Sequence, residues 1–191
     1  MVYQKYCEAM MDLSFAILEL LAISLGVDRK LYRKFFEDGF SILRCNLYPP
    51  CQEPGNTLGT GPHCDSNSIT ILHQDQIYRE LQVCNGLILS GLLLNLEAFH
   101  FPATALSNGK YKSCLHRAMV NKHEQRKSLA FFLSPREDKV VRPPQELVCS
   151  EGKRMYPDFT WLNLSRFVQN HYRADDNTLQ NFTNWSQSVN L

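Results

Sequence analysis

Three kinds of segment follow one another along this chain, and their order restricts the fold more than any single residue does. Residues 2–26 place Tyr6, Met10, Leu13, Ile17, Leu20 and Leu21 at helical spacing, which predicts a long amphipathic helix that Gly26 can stop. A second helix is expected over 29–37, with Asp28 as its N-cap. From residue 41 the period changes. Strands are expected over 42–48, where Pro49-Pro50 cuts the run, and over 68–73, 81–83, 86–94, 115–120 and 129–133. The polar stretch 121–125 reads as a hairpin loop between the last two. Two helices close the chain, over 160–173 with Thr160 as N-cap and over 177–188. Helices, then many short strands, then helices predict a mainly β protein, an antiparallel sandwich or barrel with helices packed outside one sheet. The expected division is a helical support segment at 1–38, a β core at 39–150, and C-terminal helices packing on that core at 151–191.

The 191 residues are 44% apolar, enough for one domain with a real core. A formal charge of +1 sets up no long-range field, so neither nucleic acid nor an anionic membrane is expected as a partner. The apolar stretch 13–27 carries Glu19 and is too short to span a bilayer. The first residues lack a basic region followed by an apolar run, so no signal peptide is expected. Seven cysteines, an odd number with no Cys-x-x-Cys pair, argue against a disulfide framework or a zinc knuckle and for a reducing, cytoplasmic setting.

Within the β region, His63 and Asp65 stand two apart, and alternate residues of an extended segment point the same way. His116 lies on a different predicted strand. Two imidazoles and one carboxylate can hold Fe(II) on three adjacent corners of an octahedron and leave the others open. A His-x-Asp pair alone reads more readily as a surface histidine beside a loop acid. Arg126 and Ser128 are also two apart, and a guanidinium fork with a hydroxyl suits the far carboxylate of a dicarboxylic acid. Alone they read as a surface arginine and a strand serine. Asn46 and Tyr48, again two apart, can donate to a co-substrate carboxylate near the metal. Together these residue types suggest an oxygenase that consumes 2-oxoglutarate. His73 is expected to be a hydrogen-bonded structural group, His123 and His171 to be exposed, and His100 is given no role.

Longer stretches carry a resemblance. They are Asn46-Leu47-Tyr48-Pro49-Pro50-Cys51-Gln52, Leu58-Gly59-Thr60-Gly61-Pro62-His63-Cys64-Asp65, the run 105–117 ending in Cys114-Leu115-His116-Arg117, Arg126-Lys127-Ser128-Leu129-Ala130-Phe131-Phe132, and Tyr156-Pro157-Asp158-Phe159-Thr160-Trp161. In these the chain resembles the plant 2-oxoglutarate/Fe(II) dioxygenases, and among them the gibberellin 20-oxidases. The resemblance implies a double-stranded β-helix, or jelly roll. It implies iron ligands at His63, Asp65 and His116, and 2-oxoglutarate contacts at Asn46, Tyr48, Arg126 and Ser128. The implied reaction is successive oxidation of a gibberellin precursor, a small hydrophobic carboxylic acid, by O2, with release of succinate and CO2. Ascorbate is the expected reductant and a monomer the expected state.

The chain departs from the family pattern in two stretches. Ile77-Tyr78-Arg79-Glu80 stands where relatives usually carry Gly-Gly, and residues 83–105 form a shorter, more apolar segment. The chain also begins at what resembles the middle of a family member. A truncated, non-catalytic remnant is therefore the alternative expectation. A zinc hydrolase or a cupin-like sugar-binding module could use the same three ligands, but neither needs a dicarboxylate clamp.

Overall fold

The structure is a computed structural model that describes residues 2–74, 81–83, 92–93, 101–113, 115–171 and 178–189. Helix α1 (Val2–Ser24) buries Ser14, Ile17, Leu18, Leu21 and Ala22, whereas Leu20, expected on the apolar face, is 64% exposed. Gly26 ends the helix in a left-handed conformation (φ 73°), and the Val27 N–H reaches back to the Ala22 carbonyl at 3.0 Å. Helix α2 (Leu31–Phe36) is shorter than expected. Its N-cap is Lys30 and not the expected Asp28, whose carboxylate instead accepts from the Lys30 N–H at 2.8 Å in the turn before the helix.

The strands that follow are β1 (Phe40–Tyr48), β2 (Leu58–His63), β3 (Ile69–Gln74), β4 (Leu81–Val83), β5 (Leu92–Leu93), β6 (His116–Met119) and β7 (Arg126–Ser134). They alternate between two sheets along the chain. The odd strands form a major sheet in the order β1-β7-β3-β5, and the even ones a minor sheet in the order β2-β6-β4. All pairings are antiparallel. This is the double-stranded β-helix, mainly β with flanking helices. It corrects one expectation. Residues 121–125 are not a hairpin loop, because β6 and β7 belong to different sheets and the segment crosses between them. Asn121 Oδ1 accepts from the His123 and Glu124 N–H groups there, at 2.7 and 3.1 Å, which turns the chain. The expected strand over 86–94 lies largely outside the described residues, as do Ile77–Glu80, His100, Cys84 and Cys114.

The major sheet has two different faces. Leu43, Ile69, Ile71, Phe131 and Leu133 form its outer face and join one apolar core with Ile17, Leu18 and Leu21 of α1. Phe131 and Leu133 are fully buried, and burial of such side chains is worth about 1.5–3 kcal/mol each. His73 lies on the outer face as well. It is exposed and stacks on the Tyr6 ring, centroids 6.2 Å apart, rather than forming the expected hydrogen-bonded group.

After β7 come β8 (Val140–Val141), α4 (Gln145–Glu151), β9 (Phe159–Thr160), α5 (Trp161–Asn170) and α6 (Thr178–Ser188), while α3 (Phe101–Leu106) precedes β6. Strands β8 and β9 pair with each other. Thr160 caps α5 as expected, its hydroxyl accepting from the Asn163 N–H at 3.3 Å. Among the described residues no helix is long and apolar enough to cross a membrane, and five cysteines are free thiols.

The join between α2 and β1 supplies a stability test. A Cβ on Gly39 would press on the backbone carbonyl oxygens of Ser134 and Phe36, neither of which can swing away. Gly39→Ala is expected to destabilise the fold by about 1–3 kcal/mol, read as a lower urea midpoint.

Candidate active site

The inner face of the major sheet carries the alternate residues of each strand. On β1 these are Arg44, Asn46 and Tyr48, on β3 Thr70 and Leu72, and on β7 Arg126, Ser128, Ala130 and Phe132. All of them line one cavity of about 100 Å³. The minor sheet closes its other side with Thr60, His63, Leu81, His116 and Ala118. Every one of the seven site residues expected from the sequence faces this cavity.

His63 and His116 are direct cross-strand partners between β2 and β6, with ring centroids 4.3 Å apart. Asp65 is not on the same strand as His63, since β2 ends at His63. Asp65 follows just past the strand end, and its carboxylate faces both rings. Asp65 Oδ1 lies 3.3 Å from His63 Nε2 and 3.7 Å from His116 Nε2. One ligand atom from each of the three residues falls within 4.8 Å of the other two. Ligands at adjacent corners around a divalent ion, each about 2.1 Å from it, stand about 3 Å apart, so the donor set fits one ion bound on a single octahedral face.

The neighbours of these donors support that fit. His63 Nδ1 sits 2.8 Å from the Gly61 carbonyl, an acceptor that requires the proton on Nδ1 and leaves the Nε2 lone pair to face Asp65 Oδ1. The adjacent Asp65 carboxylate raises the pKa of His63 above its ordinary value. Burial opposes this, and the Gly61 carbonyl reinforces it. Asp65 Oδ2 accepts from the Thr70 hydroxyl at 2.6 Å, and Thr70 Oγ1 accepts from Asn67 Nδ2 at 3.0 Å. The carboxylate is thereby oriented with Oδ1 toward the imidazoles. Removing only the hydroxyl tests this relay. Thr70→Val is expected to weaken Fe(II) binding on the order of 10–100-fold, and Thr70→Ser to retain it, in a competition titration against a chelator.

The far part of the cavity is polar. In the β1–β7 register Tyr48 faces Arg126 and Asn46 faces Ser128, so four side chains from two distant segments form one square patch. Asn46 Nδ2 donates to Ser128 Oγ at 3.3 Å. Arg126 is only 4% exposed. Its Nε and Nη2 donate to Gln74 Oε1 at 3.2 and 2.7 Å, and its guanidinium carbon lies 5.1 Å from the Tyr48 ring centre. The Tyr48 hydroxyl meets Thr60 Oγ1 at 3.1 Å and so ties the two sheets together. A buried, oriented guanidinium beside a hydroxyl and an amide can hold a carboxylate.

Sequence reasoning missed Thr70, Asn67 and Gln74 as supports, and Arg44 as a lining residue. The available signal was strand parity. Thr70 and Gln74 are on the same face of β3 as Leu72, and Arg44 is two positions before Asn46.

Comparison with known proteins agrees with this geometry. Residues 39–135 match the model of the 2OG-Fe(II) oxygenase superfamily. The chain is 54% identical to gibberellin 20 oxidase 2 of Oryza sativa subsp. indica over 96% of its length and 47% of that protein's. It is 56% identical to gibberellin 20 oxidase 1 of Arabidopsis thaliana, again over 96% of the chain and 50% of the relative. The chain thus spans about half the length of the curated relatives it matches. Among solved structures, JOX2 in complex with 2OG, Fe and JA superposes with a TM-score of 0.85 at 30% identity, covering 95% of this chain and 56% of that one.

Proposed function

The chain belongs to the 2OG-Fe(II) oxygenase superfamily, and from that premise we propose that it carries the metal and co-substrate half of a gibberellin 20-oxidase. The observation that carries the proposal is the convergence of His63, Asp65 and His116 at one side of a cavity whose far wall holds the buried Arg126. His63, Asp65 and His116 are the proposed ligands of Fe(II). Arg126 and Ser128 are proposed to grip the distal carboxylate of 2-oxoglutarate, with Asn46 and Tyr48 orienting it. When bound, Fe(II) would let O2 act as the oxidant, with two electrons drawn from 2-oxoglutarate, which leaves as succinate and CO2, and two from the substrate C–H bond.

The protein's own residues do the rest. Thr70 and Gly61 fix the faces that Asp65 and His63 present. Gln74 and Tyr48 hold the guanidinium in place. Leu81, Ala118, Ala130 and Phe132 make the remaining wall apolar, which disfavours water near the reacting centre. The substrate is a gibberellin precursor in this reading, by likeness to the gibberellin 20 oxidases. A monomer working in the cytoplasm completes the proposal, and size-exclusion chromatography tests the first part of that. Seven convergent side chains support a working site over a decayed remnant.

The experiment is incubation of the protein with a gibberellin precursor, 2-oxoglutarate, Fe(II) and ascorbate. Oxidised precursor by mass spectrometry and succinate above a no-iron control are expected. Absence of both would overturn the proposal.

A further inference from the structure

Polarity changes along the inner face of β7. Arg126 and Ser128 are polar, and Ala130 and Phe132 are apolar. The apolar half also contains a cation. Arg44 stands opposite Ala130 in the β1–β7 register, and its guanidinium carbon lies 5.8 Å from the Phe132 ring centre. Thr70, which orients Asp65, is the β3 partner of Phe132, so Arg44, Phe132 and the metal ligands meet at one level of the cavity.

The two arginines of the cavity are placed differently. Arg126 is buried, whereas Arg44 is exposed on β1, at the edge of the major sheet. Among the described residues no carboxylate pairs with Arg44, and its guanidinium lies against an aromatic ring. Arg44 and Tyr48 are four positions apart on the strand, which sets them about 13 Å apart along β1. A compact dicarboxylate held by the buried Arg126 therefore leaves Arg44 unused. The cavity of about 100 Å³ is smaller than a polycyclic molecule, so part of such a substrate extends out of it. The part that enters meets Phe132 and Leu81, with the Arg44 guanidinium at hand.

We propose that Arg44 binds the carboxylate of the molecule to be oxidised, with Phe132 as the apolar platform beside it, and so selects hydrophobic carboxylic acids over their neutral analogues. This deepens the function proposed above and rests on it. A guanidinium beside an aromatic face is desolvated on one side and still carries N–H donors, an arrangement suited to an anionic group on an apolar frame. Arg44 is a specificity-determining residue here and takes no part in the metal or co-substrate contacts.

The test uses the protein loaded with Fe(II) and 2-oxoglutarate under anaerobic conditions, where no turnover occurs. The probes are a tetracyclic diterpenoid carboxylic acid and its methyl ester, titrated by calorimetry. Wild type is expected to bind the acid on the order of 10-fold or more tighter than the ester. Arg44→Gln is expected to bring the two together by weakening only the acid, and Arg44→Lys to restore part of the difference. Affinity for 2-oxoglutarate should be the same in all three. An unchanged acid-to-ester ratio in Arg44→Gln overturns the proposal. So does binding of neither probe to wild type, or a loss that appears in 2-oxoglutarate affinity instead. The visible charge-transfer band of Fe(II) with 2-oxoglutarate, recorded on the same wild-type sample, tells failure of this assignment from failure of the proposed function.

Discussion

Replacing His116 with alanine is expected to abolish the weak visible charge-transfer band that Fe(II) and 2-oxoglutarate give together in the absence of oxygen. Fe(II) affinity should fall by more than the roughly 10–100-fold that loss of a supporting hydrogen bond costs, since here a proposed ligand itself is lost. The reason lies in the geometry. His116 faces His63 across the β2–β6 pair, and both Nε2 atoms lie within 4 Å of the same carboxylate oxygen, at 3.7 and 3.3 Å. Two remaining donors no longer define an octahedral face. The fold should survive, because His116 sits on a short strand and is not part of the apolar core under α1. An unchanged thermal midpoint with no band is the expected pair of results. A band of wild-type intensity in the variant would show that the three side chains do not act as one site.

Arg126→Gln is expected to raise the concentration of 2-oxoglutarate needed for half-saturation by about two orders of magnitude, while Fe(II) affinity changes little. Truncating one member of a buried, hydrogen-bonded charge pair typically costs about 2–5 kcal/mol, and Arg126 is 4% exposed with its donors oriented by Gln74. Glutamine keeps a polar group in a polar setting, so the loss reports the charge and the fork rather than an emptied cavity. Titration of the charge-transfer band with 2-oxoglutarate measures it directly. If the variant binds the co-substrate as wild type does, Arg126 serves only to tie β7 to β3, and the carboxylate is held elsewhere.

The jelly roll was legible from the order of periods along the chain and, more strongly, from the likeness of whole segments to a family. The pairs 46/48 and 126/128 each share a face in any strand, because the side-chain period of a strand is two. That much is local. Asp65 shows where local reasoning gave the right answer for an incomplete reason. It was expected beside His63 on one extended segment, and its carboxylate does face the same cavity, but β2 stops at His63, so ladder pairing holds only the histidine in place. The segment 121–125 shows where local reasoning failed. A polar stretch between two strands suggests a hairpin, but nothing local tells whether the second strand returns to the first or crosses to another sheet. Here it crosses, because β7 is the strand that both β1 and β3 pair with.

By itself the amino-acid sequence determined which chemistry was on offer: two imidazoles, a carboxylate, a guanidinium and a hydroxyl, each at a spacing that lets it point inward. Only the tertiary structure decided that they meet. Asn46 and Ser128 are 82 positions apart and become neighbours through the register of β1 against β7. A slip of one residue in that register would turn the whole row to the outer face, where the α1 core packs. The burial of Phe131 and Leu133 beneath α1 opposes such a slip. Apolar packing on one face of the sheet thus fixes the polar constellation on the other, and no window of sequence short enough to read by periodicity contains both.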